Sequence, residues 1–294
     1  MDALRRRQLI TGLLAMTAAP AFGQTRSRRP AIPFAPSLAA IERRHGGRLG
    51  VFALDTASRK TLTWRADERF TMCSTFKGLL AAQVLARVDA GDESLARRIS
   101  YGSGQLLPAS PVTTAHVDDG ALSVGALCQA IVEASDNTAA LLLMRAMGGP
   151  QSLTRFLRTL GDDATRSDRY EPDANLYDPL LDTTTPRAIT LTARRILLGN
   201  VLTPRSRQML EGWMIAAKPG LNRLRAAVPR DWIVGDKTGT STARQTNDVA
   251  IVRPPGRRPL LIAAYYDAPR VSMDERETVL REVGRVFVDW TQKN

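Results

Sequence analysis

The sequence predicts an α/β fold in two lobes, an antiparallel sheet flanked by terminal helices plus an inserted all-helical lobe. Strand-like alternation is confined to the two ends of the 294-residue chain, and helical periodicity fills its middle. The breaks between helical segments are dense in Gly, Pro, Asp and Thr, as short connections require. A sheet assembled from both termini, with helices inserted between, satisfies all three observations. The expected bounds are 31–67 and 217–294 for the α/β lobe and 68–216 for the helical lobe, with a cleft between lobes as the natural place for a site.

Residues 1–23 stand apart. Arg5, Arg6 and Arg7 precede an apolar run from Leu9 to Ala19, and Ala19-Pro20-Ala21 closes it with small residues. That is the organisation of a removed export signal. Arg6-Arg7 before Gln8-Leu9-Ile10 is similar to a twin-arginine signal, so a periplasmic protein is expected. The run is shorter than the roughly 20 residues of a membrane helix, and no stable membrane anchor is expected.

The first helix is read in "FAPSLAAIERRHGG", stopped by Gly46-Gly47. "RLGVFALDTAS" and "TLTWRAD" follow as a hairpin turning at Ser58-Arg59-Lys60. Helical segments are expected near 75–90, 123–134, 138–147, 151–160, 187–199 and 204–216. Strands return in "WIVGDKTGT", "NDVAIVRPPG" and "PLLIAAYYDAP", and "MDERETVLREVGRVFVDWTQ" closes the chain as an amphipathic helix.

A formal charge of +12 raises nucleic acid as a partner. The basic residues are scattered through both halves, however, and aromatics are only 5%, without the arginine–aromatic interleaving that stacks bases. A solvated basic surface and no nucleic-acid partner is the reading. Cys73 and Cys128 allow one disulfide, but they fall in separate segments and are expected to be unbonded. His45 and His116 are far apart, lack ligand spacing and read as surface residues, so no metal is expected.

Four stretches carry candidate chemistry. Ser74 and Lys77 lie three apart at a helix start, where the amine reaches the hydroxyl and the helix dipole favours an alkoxide. Ser135-Asp136-Asn137 sits at a break between helices, where capping is the plainer role and a proton relay with a substrate-holding amide the functional one. Lys237-Thr238-Gly239-Thr240 offers a charge and two hydroxyl donors along one strand, suited to a carboxylate. The plainer reading there is an edge strand with a solvated lysine, although a strand glycine also marks close approach by another backbone. "RYEPDANLYDPLLDTTTP" is long and aperiodic; its Glu171 and Asn175 could grip one water, with Arg169 and Asp182 closing the loop.

Taken singly each stretch is an ordinary surface feature, but their order and spacing resemble the signature set of class A serine β-lactamases. The resemblance runs from about Leu38 to Trp290, and "RRHGGRLGV" with Cys73 is similar to the chromosomal enzymes of environmental Gram-negative bacteria. It implies hydrolysis of penicillin- and cephalosporin-type antibiotics by a monomer without cofactor. Ser74 is then the nucleophile, Lys77 and Glu171 the bases, Ser135 a proton relay, and Glu171 with Asn175 the holders of the deacylating water. Lys237, Thr238, Gly239, Thr240 and Arg223 would bind the substrate carboxylate region, and Asn137 its side-chain amide. The backbone N–H groups of Ser74 and Thr240 would form the oxyanion hole.

Three departures from the family pattern stand out. Ala109 replaces an aromatic residue at the cleft rim. Ser241 stands where the carbapenem-hydrolysing subset has the cysteine that bonds to one matching Cys73, and Ala81 where Cys128 would find its partner. The loop between Glu171 and Asp182 is two residues shorter than is common. The alternatives are a cell-wall D,D-peptidase and a β-lactam sensor, both of which acylate and deacylate slowly. Glu171 followed by Asn175 favours the hydrolase.

Overall fold

The first described helix, α1 (Ala35–His45), takes Pro36 in its opening turn and stops at Gly46 and Gly47, whose positive φ angles turn the chain back. The computed structural model describes residues 34–293; the expected export signal lies outside the described residues. Everything below concerns the described residues.

After α1 come β1 (Arg48–Asp55), β2 (Thr61–Trp64) and the two-residue β3 (Phe70–Thr71). A 3-10 turn, Cys73–Thr75, leads into α2 (Phe76–Asp89), which is buried on nearly every side from Phe76 to Leu85 and forms the centre of the helical layer. Next are β4 (Arg98–Ser100), α3 (Pro111–Ala115), β5 (Ala121–Ser123) and α4 (Val124–Gln129), which runs on as a π-helical stretch, Ala130–Ala134. Then follow α5 (Asn137–Ala146), α6 (Pro150–Thr159), β6 (Thr183–Thr184), α7 (Pro186–Leu198) and α8 (Pro204–Ile215). The chain returns to the sheet with β7 (Ile233–Thr240), β8 (Gln245–Arg253) and β9 (Leu260–Asp267), and ends in α9 (Met273–Gln292).

The main sheet is antiparallel in the order β2-β1-β9-β8-β7. Side chains alternate across it. Ala250, Val252, Ile262 and Ala264 face α1 and α9, where Leu38, Ile41, Val279, Val283 and Phe287 close one core. Val249, Ile251, Leu261, Ala263 and Tyr265 face the helices and join the second core with Leu80, Val84, Ile189 and Met214. Both faces are therefore covered, which is why β9 from Leu260 to Tyr266 and β8 from Val249 to Val252 read as apolar runs without alternation.

The expected antiparallel sheet, terminal helices and helical middle are all present. The structure adds short pieces that the periodicity did not mark: α3, and the small ladders β3–β6 and β4–β5. It also splits the helix read over 123–134. The chain leaves its π-helical part at Ser135, whose φ of 58° turns the backbone sharply before α5.

Candidate active site

Two non-glycine residues with left-handed backbone, Ala109 and Ser135, line one cavity of about 490 Å³, and a third, the buried Cys73, precedes Ser74 on its wall. Residues held in such conformations need support from their surroundings and cluster at working sites. Ser74 opens onto the cavity, as do Ser135, Asn137, Asn175, Thr238 and Thr240. Ala109 lines it too, at the rim position noted above.

The 3-10 turn carrying Ser74 is held from the sheet. Asn247 of β8 lies opposite Gly239 of β7, and its amide donates to Thr71 O at 3.0 Å and to Met72 O at 3.1 Å. Gly239 permits that approach, because a Cβ there would meet Met72 O at 2.5 Å. The glycine thus brings Thr238 and Thr240 beside Ser74.

Lys77, three residues on, is fully buried. Its Nζ donates to Ser135 O at 2.8 Å and to Asn137 Oδ1 at 2.5 Å, and lies 3.1 Å from Glu171 Oε1. Asn137 is fixed at its other end, its Nδ2 donating to Pro108 O at 2.8 Å. Asp136 between them is structural: it caps α5 through Ala139 N and accepts from the backbone N–H groups of Val112 and Thr113. Ser135 Oγ accepts from Lys237 Nζ at 3.0 Å, so the two lysines approach the same serine, one at its carbonyl and one at its hydroxyl.

Glu171 is buried at the start of an irregular loop whose base is the ion pair of Arg169 Nε with Asp182 Oδ2, 2.6 Å apart. Asn175 Nδ2 donates to Glu171 Oε2, an arrangement that leaves the buried Asn175 Oδ1 without a donor among the described residues. Arg223 does not line the cavity. It lies behind Thr240, donating from Nη2 to Thr240 Oγ1 at 2.8 Å and from Nε to Glu277 Oε1 at 3.1 Å. Every residue singled out in the sequence is therefore in one constellation, with Arg223 in an outer layer. Asn247 and Glu277 went unread. Asn247 stood unmarked among the polar residues Gln245, Thr246 and Asp248 that open β8, and Glu277 carried no signal.

The model of the β-lactamase enzyme family matches residues 33–291. The chain belongs to that family. It is 46% identical over 259 residues to a β-lactamase of Streptomyces albus G, covering 86% of this chain and 82% of that protein. It is 42% identical over 275 residues to β-lactamase L2 of Stenotrophomonas maltophilia, covering 91% and 90%. Among solved structures, a β-lactamase from Burkholderia vietnamiensis superposes with a TM-score of 0.88 at 62% identity, over 89% of this chain and 97% of that one. These relatives place the chain with the class A serine β-lactamases, and Cys73 and Cys128 are both free in it, as expected.

In this β-lactamase-family site burial sets the electrostatics. It lowers the Lys77 amine below the usual lysine range, with Glu171 pulling the other way. Burial likewise drives Lys237 down to about 7, and the neighbouring charge of Lys77 adds to the effect.

Proposed function

We propose that Ser74, Lys77, Ser135, Glu171 and Asn175 carry out β-lactam hydrolysis in this chain, on penicillin- and cephalosporin-type substrates. Ser74 Oγ attacks the lactam carbonyl, forming an ester as the C–N bond breaks. Its proton passes to the Lys77 and Glu171 pair, and Ser135 returns a proton to the departing nitrogen. The N–H groups of Ser74 and Thr240 receive the developing oxyanion, one such donor being worth about 10²–10³ in rate. Lys237, Thr238 and Thr240 meet the substrate carboxylate, with Gly239 allowing the close approach and Arg223 holding Thr240 from behind. Asn137 meets the side-chain amide.

The observation that carries this reading is a pair of acceptors. Glu171 Oε1 and Asn175 Oδ1 are both buried: Asn175 Oδ1 has no donor among the described residues, and Glu171 Oε1 has only Lys77 Nζ, 3.1 Å away, which leaves a lone pair free. A water offering two O–H groups matches two such acceptors. Held there, it attacks the ester carbon, Glu171 takes its proton, and Ser74 leaves and is reprotonated. The paired Glu171 and Asn175 thus supply the step that a D,D-peptidase or sensor would lack.

We further assign the chain to the periplasm, exported by the signal at 1–23 through the twin-arginine route, as a monomer working without cofactor and without nucleic acid. Among the described residues no helix is long and apolar enough to cross a membrane. The test is an intact-mass time course of the purified protein with excess benzylpenicillin. Loss of drug with no lasting adduct is the expected result. A persistent one-to-one adduct would favour the peptidase or sensor, and no reaction at all would refute the assignment of Ser74.

A further inference from the structure

The loop that carries Glu171 meets the turn that follows Thr240. Tyr177 lies two residues beyond Asn175, and the guanidinium carbon of Arg244 sits 3.8 Å from the centre of its ring. Arg244 is itself fixed: its Nε and Nη2 donate to the two oxygens of Asp267 at 2.5 and 2.9 Å, at the end of β9. With its edge occupied, its flat face is what it offers the tyrosine.

The turn is anchored from a second side. Arg276 of α9, almost wholly buried, donates to Ser241 O at 3.2 Å and to Thr242 O at 3.1 Å. The loop, by contrast, is irregular from Leu176 to Leu181 and exposes Leu176, Tyr177 and Leu180. Tyr177 is 47% exposed, so burial alone does not explain where its ring lies. Within the loop, Arg169 Nη2 donates to Leu176 O at 2.9 Å. The segment from Glu171 to Tyr177 is therefore pinned by Arg169 at its base and by Arg244 at its outer end.

We propose that Tyr177 is a positioning residue for deacylation: clasped on Arg244, it fixes the outer half of the 171–182 loop against the β7–β8 turn and so keeps Glu171 and Asn175 in register with Ser74. This rests on the reading that Glu171 activates the deacylating water. The clasp crosses beside the cavity, joining the segments that contribute Asn175 and Thr240 to its wall. Its effect is bounded by its strength. A guanidinium on a half-exposed ring biases a loop equilibrium about two- to fivefold.

The test is kinetic and uses the full-length enzyme with benzylpenicillin. Tyr177→Ala should lower kcat about two- to fivefold, the range set by that bias. KM should fall in proportion, kcat/KM should stay unchanged, and acyl-enzyme should rise in steady-state intact mass. Tyr177→Phe, which keeps the ring, should behave as the parent. Arg244→Met, which keeps the stem and removes the flat cation, should reproduce the alanine signature and serves if Tyr177→Ala does not fold. An unchanged kcat in the folded variants, or kcat and kcat/KM falling together, overturns the proposal. Glu171→Gln run in parallel separates the failures. If it accumulates adduct while the clasp variants match the parent, the clasp alone is refuted; if it accumulates none, the Glu171 assignment fails and the clasp with it.

Discussion

Lys77 Nζ and Glu171 Oε1 lie 3.1 Å apart with both side chains sealed from solvent. Burial favours the neutral amine of Lys77 and Glu171 opposes it. Removing either partner leaves the other without its counter-charge. Lys77→Met should therefore cost about 3–5 kcal/mol in urea unfolding, the range for a buried pair broken on one side. Glu171→Gln should lower Lys77 further, keep acylation and reduce kcat about 10²–10⁴, the range of general-base help. A Glu171→Gln enzyme that turns over as the parent does would remove Glu171 from the chemistry.

Lys237, pushed down to about 7, makes a second pH statement. Its proton is what would attract the substrate carboxylate, so kcat/KM should decline as pH rises through about 7. Lys237→Arg keeps its charge and should move that alkaline limb upward. The native state binds fewer protons than the unfolded chain between about 7 and the usual lysine value. Stability should therefore rise with pH across that window, with a shallower slope in Lys237→Met. Identical alkaline limbs in Lys237→Arg and the parent would assign the limb to another group.

What was legible and what was not divides along physical lines. The strands at both ends and the helical middle were read from periodicity, which reports how a segment meets its neighbours. The face a residue takes was not. Lys237 read plausibly as a solvated lysine on an edge strand, and β7 is an edge strand. Being at the edge concerns the plane of the sheet, however, whereas Lys237 points across it into the helices and is buried. The break at Ser135 was read from the pattern, but the π-helical stretch that leads into it was not, because one extra residue per turn barely disturbs a helical pattern. Contacts between distant segments, such as Arg223 with Glu277 and Tyr177 with Arg244, leave no mark on local sequence.

The loop base gives a third test. Asp182 accepts from Asp168 N, Arg169 N and Arg169 Nε, yet burial still raises its carboxyl above the usual range. Arg169→Ala removes the opposing charge and should raise it further, at a cost of about 1–3 kcal/mol. The native state then holds a proton that the unfolded chain has lost, so the penalty should be larger at pH 7.5 than at pH 4.5. Urea unfolding at the two values decides it. An equal penalty at both would mean that the Asp182 carboxyl does not titrate differently in the variant.

Cys73 adjoins Ser74 but should be chemically silent. Both it and Cys128 are buried, and burial drives both thiols well above the ordinary cysteine range. Reactivity follows the thiolate. Ellman's reagent should label neither in the native protein and both in denaturant, with rates that follow unfolding. Rapid native labelling of Cys73 would show that the wall around Ser74 opens without global unfolding.

Gly239 is the place where one added carbon should separate fold from function. A Cβ there would meet Met72 O at 2.5 Å, Thr75 Cγ2 at 3.0 Å and Asn247 Nδ2 at 3.2 Å. The first is backbone, so the strand itself must move. Overpacking of this kind costs about 1–3 kcal/mol. The displacement falls between Ser74 and Thr240, whose N–H groups would share the oxyanion, and misplacement by about 1 Å can cost 10²-fold. Gly239→Ala should thus remain folded, with a modest fall in melting temperature, while kcat/KM for benzylpenicillin drops about 10²-fold. Asn247→Ala relieves one of the three contacts but also releases the Met72 turn, so it should not rescue Gly239→Ala. Recovery of activity in the double variant would mean that the asparagine, and not the backbone of Met72, sets the approach of β7 to the nucleophile.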